Sequence, residues 1–315
     1  MTVMSESMKI SQKVKKILSN YESDCPGTKA NLVRILMHGH LAGTGKMIIL
    51  PVDQGFEHGP GRSFAINPAA YDPIYHYQMA VDAGLSAYAA PLGMLEAGAS
   101  TFAGAIPTIL KINSSISLLP GGDDADQAIT GSVSEALRLG CSAIGFTIYP
   151  GSNATLAMLE DLREIAEEAK ASGLAVIVWS YARGNMSKEG ETAIDTISYG
   201  AHMAALMGAH IIKVKLPTDY LENKEAKKEY LDHKVDIGTQ VARVRHIVET
   251  CFQGRRLVVF SGGAAKDLES VYQDARDIRD GGGNGSIVGR NAFRRPRAEA
   301  MKMLSTLVQI YQGKL

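Results

Sequence analysis

The chain has 315 residues, 45% of them hydrophobic and 21% charged, which is ordinary for a globular protein and enough to bury a large core without staples. Its 33 basic and 33 acidic side chains cancel, so nothing global points to nucleic acid, and an anionic substrate has to be held by local features. No apolar run reaches membrane-spanning length, and the first twenty residues lack the apolar core of a signal peptide. Cys25, Cys141 and Cys251 are scattered without paired spacing, which reads as free thiols in a reducing, cytoplasmic compartment.

Residues 1–46 precede the first strand and predict an N-terminal helical extension. Its helices are expected around 8–19 and 29–39, covering the barrel bottom or meeting a neighbouring subunit. From residue 47 to 315 a pattern of form repeats: a helical stretch ends at a glycine or small polar residue and a short apolar strand follows. "DAGLSAYAAP" (82–91), "RLGCSAIGFTI" (138–148), "ASGLAVIVWS" (171–180), "LMGAHIIKVK" (206–215) and "GGGNGSIVG" (281–289) read this way. Glycine supplies the left-handed helix cap, and the β-branched runs suit strands buried on both faces. "MIILPVD" (47–53), "TILKIN" (108–113) and "RLVVFSG" (256–262) bring the strands to eight. Helical periodicity appears between them, at Met158, Leu162, Ile165, Ala166 and Ala169, at Val241, Val244, Ile247 and Val248, and at Leu268, Val271, Ala275 and Ile278. The pattern predicts an α/β fold, a (β/α)8 TIM barrel, over the open doubly wound sheet that is its alternative.

In such a barrel the active site lies where strands end. Strand one ends in Asp53, with Gln54, Glu57 and His58 in its loop. Asp53 is positioned to pair with Lys213 across the barrel and orient substrate hydroxyls, the alternative being a helix N-cap or a structural ion pair, and His58 is a candidate phosphate contact. Lys111 on strand three adds a positive charge and is a further candidate phosphate ligand. Strand five ends in "VWSYARG", where Trp179 and Tyr181 share a face; they either pack or, for the phenol, exchange a proton with a bound intermediate.

On strand six, Lys213 and Lys215 point inward. Burial and a neighbouring cation both favour a neutral amine, which attacks carbonyls to form imines. The alternative is a pair of phosphate-binding or salt-bridged lysines. Residues 216–234 form a charged excursion, read as a solvated loop with a helical turn or as a flap over the mouth. Ser261-Gly262-Gly263 after strand seven and Gly289-Arg290 after strand eight suit a phosphate, because glycine lets backbone N–H groups approach an anion and arginine adds charge. His38, His40, His202 and His210 do not form a trio at strand ends, so no catalytic metal or other cofactor is expected.

Taken together, the chain resembles the class I, Schiff-base fructose-1,6-bisphosphate aldolases of the archaeal and bacterial DhnA type. The resemblance runs from about residue 40 to 312. It is carried by "LAGTG" (41–45), "ILPVDQGFEHGP" (49–60), "SFAINP" (63–68), "LKIN" (110–113), "GFTIYPGS" (145–152), "VIVWSYARG" (176–184), "IIKVK" (211–215), "SGG" and "VGRNAF" (288–293). The opening segment is nearer the bacterial branch. The resemblance implies metal-independent, reversible cleavage of fructose 1,6-bisphosphate to dihydroxyacetone phosphate and glyceraldehyde 3-phosphate. Lys213 would be the imine-forming residue, Asp53 its positioning carboxylate, Tyr181 the proton donor and acceptor, and Trp179 their partner. Ser261, Gly262, Gly263, Gly289 and Arg290 would hold a phosphate; the second phosphate site is left open. With Lys213 singled out by the resemblance, the double-lysine strand leaves Lys215 as its electrostatic partner. It also implies a large homo-oligomer, often a decamer. Other Schiff-base relatives, an aminodideoxyheptulosonate synthase and an autoinducer-2 phosphate thiolase, are the nearest rivals. A sugar-phosphate-binding barrel without catalysis is the rival of a different class.

Overall fold

The computed structural model describes residues 10–119, 121–262 and 267–315. Among them, eight parallel strands close a barrel. They are β1 (Met47–Pro51), β2 (Ala87–Ala90), β3 (Thr108–Lys111), β4 (Ala143–Ile148), β5 (Ala175–Ser180), β6 (Ile211–Lys215), β7 (Leu257–Ser261) and β8 (Gly285–Ile287). Each pairs with the next in sequence, and β8 returns to β1 in the register Met47↔Gly285, Ile48↔Ser286, Ile49↔Ile287. The (β/α)8 expectation holds.

Alternation along each strand divides the core in two. Met47, Ile49, Ala87, Ala89, Ile109, Ala143, Ala175, Ile177, Ile211, Leu257, Val259 and Ile287 fill the barrel, whereas Ile48, Leu50, Ile144, Val176, Ile212, Val214 and Val258 pack outward on the helices. Helices Thr155–Ala171, Gln240–Thr250 and Leu268–Asp280 cover the periodic stretches read from the sequence. The repeated glycine before a strand is a left-handed helix cap each time: Gly84, Gly140, Gly173, Gly208 and Gly282 have φ between 55° and 87°. No helix among the described residues is long and apolar enough to cross a membrane.

The N-terminal segment forms helices Gln12–Leu18 and Pro26–Leu36. Val14, Tyr21, Leu32, Ile35 and Leu36 join the interior cluster at the strand starts, so the segment plugs the barrel bottom. Tyr21 donates to the His210 carbonyl at 2.6 Å, and His210 Nε2 meets Asp24 at 2.8 Å. With Val176 N–H donating to His210 Nδ1, that imidazole is a structural tie between segment and barrel.

One loop differs from its sequence reading. After β3 the chain folds into a small antiparallel ribbon, Asn113–Ser114 against Ala128–Ile129. The excursion 216–234 contains a helix, Lys224–Asp232, and is fastened to the outside of the barrel. Glu222 accepts from Ser187 N–H and Oγ at 2.8 and 2.6 Å, and Asp195 accepts from the backbone of Glu222 and Asn223. None of its residues lines the mouth cavity, and most of its side chains are exposed, as the solvated-loop reading expects.

Candidate active site

At the C-terminal end of the strands lies a cavity lined by Asp53, Gln54, Glu57, His58, Tyr149, Tyr181, Arg183, Lys213, Lys215, Ser261, Gly262, Gly289, Arg290 and Asn291 among others. Strand parity places most of these. Lys213 sits two residues above the interior Ile211, while Ile212 and Val214 face the helices. The same alternation brings Tyr181 in above Trp179 and Ser261 above Val259.

Lys213 is 3% exposed. Its Nζ lies 5.3 Å from the Trp179 ring centre and 5.2 Å from that of Tyr181. Burial, aided by Arg290, pushes its pKa down to about 8, against the pull of Asp53 and Glu57. At pH 7 such an amine is roughly a tenth neutral, about three hundred times the fraction of an ordinary lysine. Lys215 does not act as its electrostatic partner: its Nζ turns to Glu191 at 3.5 Å, a carboxylate shared with Arg183 at 2.9 Å and Lys188 at 2.8 Å. Arg290 supplies the neighbouring cation instead.

Asp53 is 7% exposed and occupies the cap position of the short helix Gln54–His58. Its side chain makes no capping hydrogen bond and its charge bears on Lys213 and Lys111, which removes the capping alternative. Tyr181 has its pKa raised by burial and by Asp53, with a hydrogen bond to Ser261 acting the other way. It is therefore held as the protonated phenol.

Trp179 forms the floor. It is 1% exposed, and its Nε1 has no hydrogen-bond partner among the described residues, so packing rather than hydrogen bonding fixes the ring. Gly145 on β4 makes that possible: a Cβ there would meet the indole carbons at 2.1 and 2.3 Å. Gly145→Ala should therefore cost about 1–3 kcal/mol by overpacking, measured by thermal unfolding, and should slow turnover by pushing the indole against Lys213. Shrinking the ring as well, with Trp179→Phe, should recover part of that stability. A Gly145→Ala protein as stable and active as the parent would show that the ring is not held this way.

Ser261 and Gly262 end β7, and Gly289 caps the short helix Arg290–Phe293 beyond β8. These residues line the cavity together with His58, and the open amides of a helix start add to Arg290 in attracting an anion. Gly263 lies outside the described residues. Lys111 is not in the cavity wall: it is 2% exposed and donates to the Asn113 carbonyl and, at 2.9 Å, to Asn113 Oδ1. It sits 5.9 Å from the Trp179 ring centre.

Three residues in the wall carry no role in the sequence reading. Tyr149 extends the inward face of β4 and accepts from Gln127 Nε2 at 2.6 Å. Arg183 lies 5.9 Å from the Tyr149 ring centre. Glu57 is pushed up to about 7 by burial and Asp53, with Lys111, Lys213 and Arg183 opposing. Each had a signal: Tyr149 and Arg183 stand two residues beyond an inward position, and Glu57 stands four beyond Asp53 on a helical turn. Among the described residues, no group of three or more His, Cys, Asp or Glu side chains is arranged to hold a metal ion.

A partly neutral amine walled by aromatic rings and rimmed by anion-binding loops defines a barrel enzyme for the carbonyl chemistry of anionic substrates. More particularly, the chain belongs to the DeoC/LacD family of aldolases, whose sequence model matches residues 47–295. It is 32% identical over 295 residues to a probable fructose-bisphosphate aldolase class 1 of Chlamydia muridarum, covering 89% of this chain and 83% of the relative. It is 34% identical over 272 residues to the fructose-bisphosphate aldolase class 1 of Thermoproteus tenax, covering 86% and 91%. Among solved structures it resembles an archaeal fructose-1,6-bisphosphate aldolase whose catalytic lysine is covalently bound to the carbinolamine intermediate. The TM-score is 0.74 at 31% identity, over 90% of this chain and 99% of that one.

Proposed function

We propose that the protein is a class I fructose-bisphosphate aldolase that cleaves fructose 1,6-bisphosphate reversibly through an imine on Lys213. The observation that carries this is the buried Lys213 amine between Trp179 and Tyr181, facing Asp53, under a phosphate-binding rim. The class I relatives and the carbinolamine-bearing archaeal structure support it.

Neutral Lys213 adds to the C2 carbonyl, and loss of water gives an iminium. A base takes the C4 hydroxyl proton, the C3–C4 bond breaks, and its electrons flow into the iminium to leave an enamine. Glyceraldehyde 3-phosphate departs, Tyr181 protonates the enamine at C3, and water releases dihydroxyacetone phosphate. Asp53 orients Lys213 and the substrate hydroxyls, while Trp179 fixes the amine from below. Ser261, Gly262, Gly289, Arg290 and His58 hold one phosphate. Arg183 and Lys215, three and two strands around the barrel from β8, are available for the other.

A coupled assay tests the substrate. Fructose 1,6-bisphosphate should be cleaved faster than fructose 1-phosphate, because the second phosphate is held by charge, and EDTA should leave the rate unchanged. Activity lost to EDTA and restored by zinc would contradict the imine reading. A rate seen only with the substrates of the synthase or thiolase relatives would move the assignment to those enzymes. We further propose a reducing, cytoplasmic location, consistent with three unbridged cysteines. A homo-oligomer is favoured by Tyr199 and Leu206, which leave 68% and 65% of their surface exposed on the outer helix Ile194–Leu206; the mass by light scattering decides it.

A further inference from the structure

The cavity wall carries two cations that the imine chemistry does not use, Arg183 and Lys215, and both are tied to one carboxylate that does not itself line the cavity. We infer that Glu191 is the positioning residue of the second phosphate subsite: it stands behind Arg183 and Lys215, sets the spacing between them, and so decides the preference for a bisphosphate over a monophosphate. The inference rests on the bisphosphate reading above.

Glu191 is carried by the turn Gly190–Thr192, between β5 and the helix Ile194–Leu206. Its Oε2 accepts from Arg183 Nη1 at 2.9 Å and lies 3.5 Å from Lys215 Nζ, while Oε1 accepts from Lys188 at 2.8 Å. Because one oxygen meets both cations, Arg183 Nη1 and Lys215 Nζ stand no more than 6.4 Å apart, the 2.9 and 3.5 Å contacts laid end to end. That lies within the span of one phosphate held on either side by charge-assisted hydrogen bonds of about 2.8 Å. Arg183 Nη1 is spent on Glu191 and on the Ala182 carbonyl, at 2.9 Å each, and the guanidinium carbon lies 5.9 Å from the Tyr149 ring centre. These contacts fix the guanidinium and leave its Nη2 and Nε without a hydrogen bond among the described residues. Burial and Arg183 push Lys215 down to about 8 and Glu191 opposes them, so Lys215 stays largely charged at neutral pH. Three cations and one carboxylate leave the cluster with two positive charges, the complement of a phosphate monoester dianion.

The turn itself is braced from outside the barrel. Gly190 N–H donates to Ser187 Oγ at 2.9 Å, and Ser187 Oγ donates to Glu222 of the excursion at 2.6 Å. A Cβ on Gly190 would stand 2.7 Å from the Glu222 carboxyl carbon, so that carboxylate packs directly on the turn. Thr218 N–H adds a second tie by donating to the Thr192 carbonyl at 2.8 Å. The excursion 216–234 thereby holds Glu191 in place without entering the cavity. A carboxylate that competed with the phosphate would stand in the wall. Glu191 stands behind it, so its removal loosens the two donors rather than freeing them.

The test compares two sugars that differ by one phosphate. Glu191→Ala should raise KM for fructose 1,6-bisphosphate about tenfold, with kcat and the cleavage of fructose 1-phosphate both within about twofold of the parent. Glu191→Gln, whose amide oxygen still accepts from Arg183, should recover part of that KM. Arg183→Ala should raise the same KM at least as much, and adding Glu191→Ala to it should cost less than it costs the parent, because the carboxylate acts through the guanidinium. An equal loss on both sugars would mark Glu191 as structural and overturn the inference. So would an unchanged or lowered KM for the bisphosphate, or full additivity with Arg183→Ala. Should Glu191→Ala not fold, Glu191→Gln carries the same comparison: a smaller KM rise confined to the bisphosphate supports the role, and no rise or an equal loss on both sugars refutes it. A parent protein that cleaves both sugars equally well removes the second subsite and the inference with it, whereas one that cleaves neither refutes the aldolase reading instead.

Discussion

Lys213→Ala is expected to fold and to lose cleavage by roughly 10⁵-fold or more, because no other group in the wall can carry the covalent intermediate. Lys215 does not substitute: it is held by Glu191 at the strand end, too far along β6 to take over the position between Trp179 and Tyr181. Stability should not fall with activity. Burial is the largest influence on Lys213 and acts against its charge, so Lys213→Met, with a chain of similar length, should melt at or above the parental temperature. The pH dependence follows the same sign. Lowering the pH through about 8 protonates the amine and removes the nucleophile, so imine formation should slow by about tenfold per pH unit below pH 7 and level off above 8. A Lys213→Ala protein that still cleaves the bisphosphate, or an imine rate independent of pH in this window, would contradict the assignment.

Tyr181→Phe should behave differently, because it removes a proton donor and leaves the amine in place. Imine formation and bond cleavage remain, but the enamine cannot be protonated efficiently, so steady turnover should fall about 10²–10⁴-fold. Rapid-quench kinetics should show a burst of glyceraldehyde 3-phosphate equal to the sites, followed by a stall. Deuterium exchange into dihydroxyacetone phosphate should be lost in step with turnover. A variant that turns over slowly without a burst would place Tyr181 before bond cleavage, and one that exchanges normally would remove it from the proton path.

The barrel was legible because its strands announce themselves. Gly84, Gly140, Gly173, Gly208 and Gly282 each end a helix and start a buried β-branched or small-residue run, a local signal that needs no tertiary information. Parity then assigned Lys213, Lys215, Trp179 and Tyr181 to the interior, but it reports a face and not a depth or a neighbour. Lys111 and Lys215 show the difference. Both face inward, yet one is held by Asn113 and the other by Glu191, partners contributed by the ribbon and by the turn Gly190–Thr192. Glu57 was missed for a related reason: its environment is assembled from β1, β3, β5 and β6, and no window of sequence contains those together. The ribbon Asn113–Ser114 with Ala128–Ile129 was missed because two-residue strands carry no periodicity.

The central claim is that Lys213 forms a covalent imine with the substrate ketone. Incubating the protein with dihydroxyacetone phosphate, reducing with borohydride and mapping the product by mass spectrometry tests it directly. One reduced adduct per chain, on the peptide containing Lys213 and absent from Lys213→Ala, is the predicted result. No adduct, or an adduct carried by Lys215 or Lys111, would contradict it.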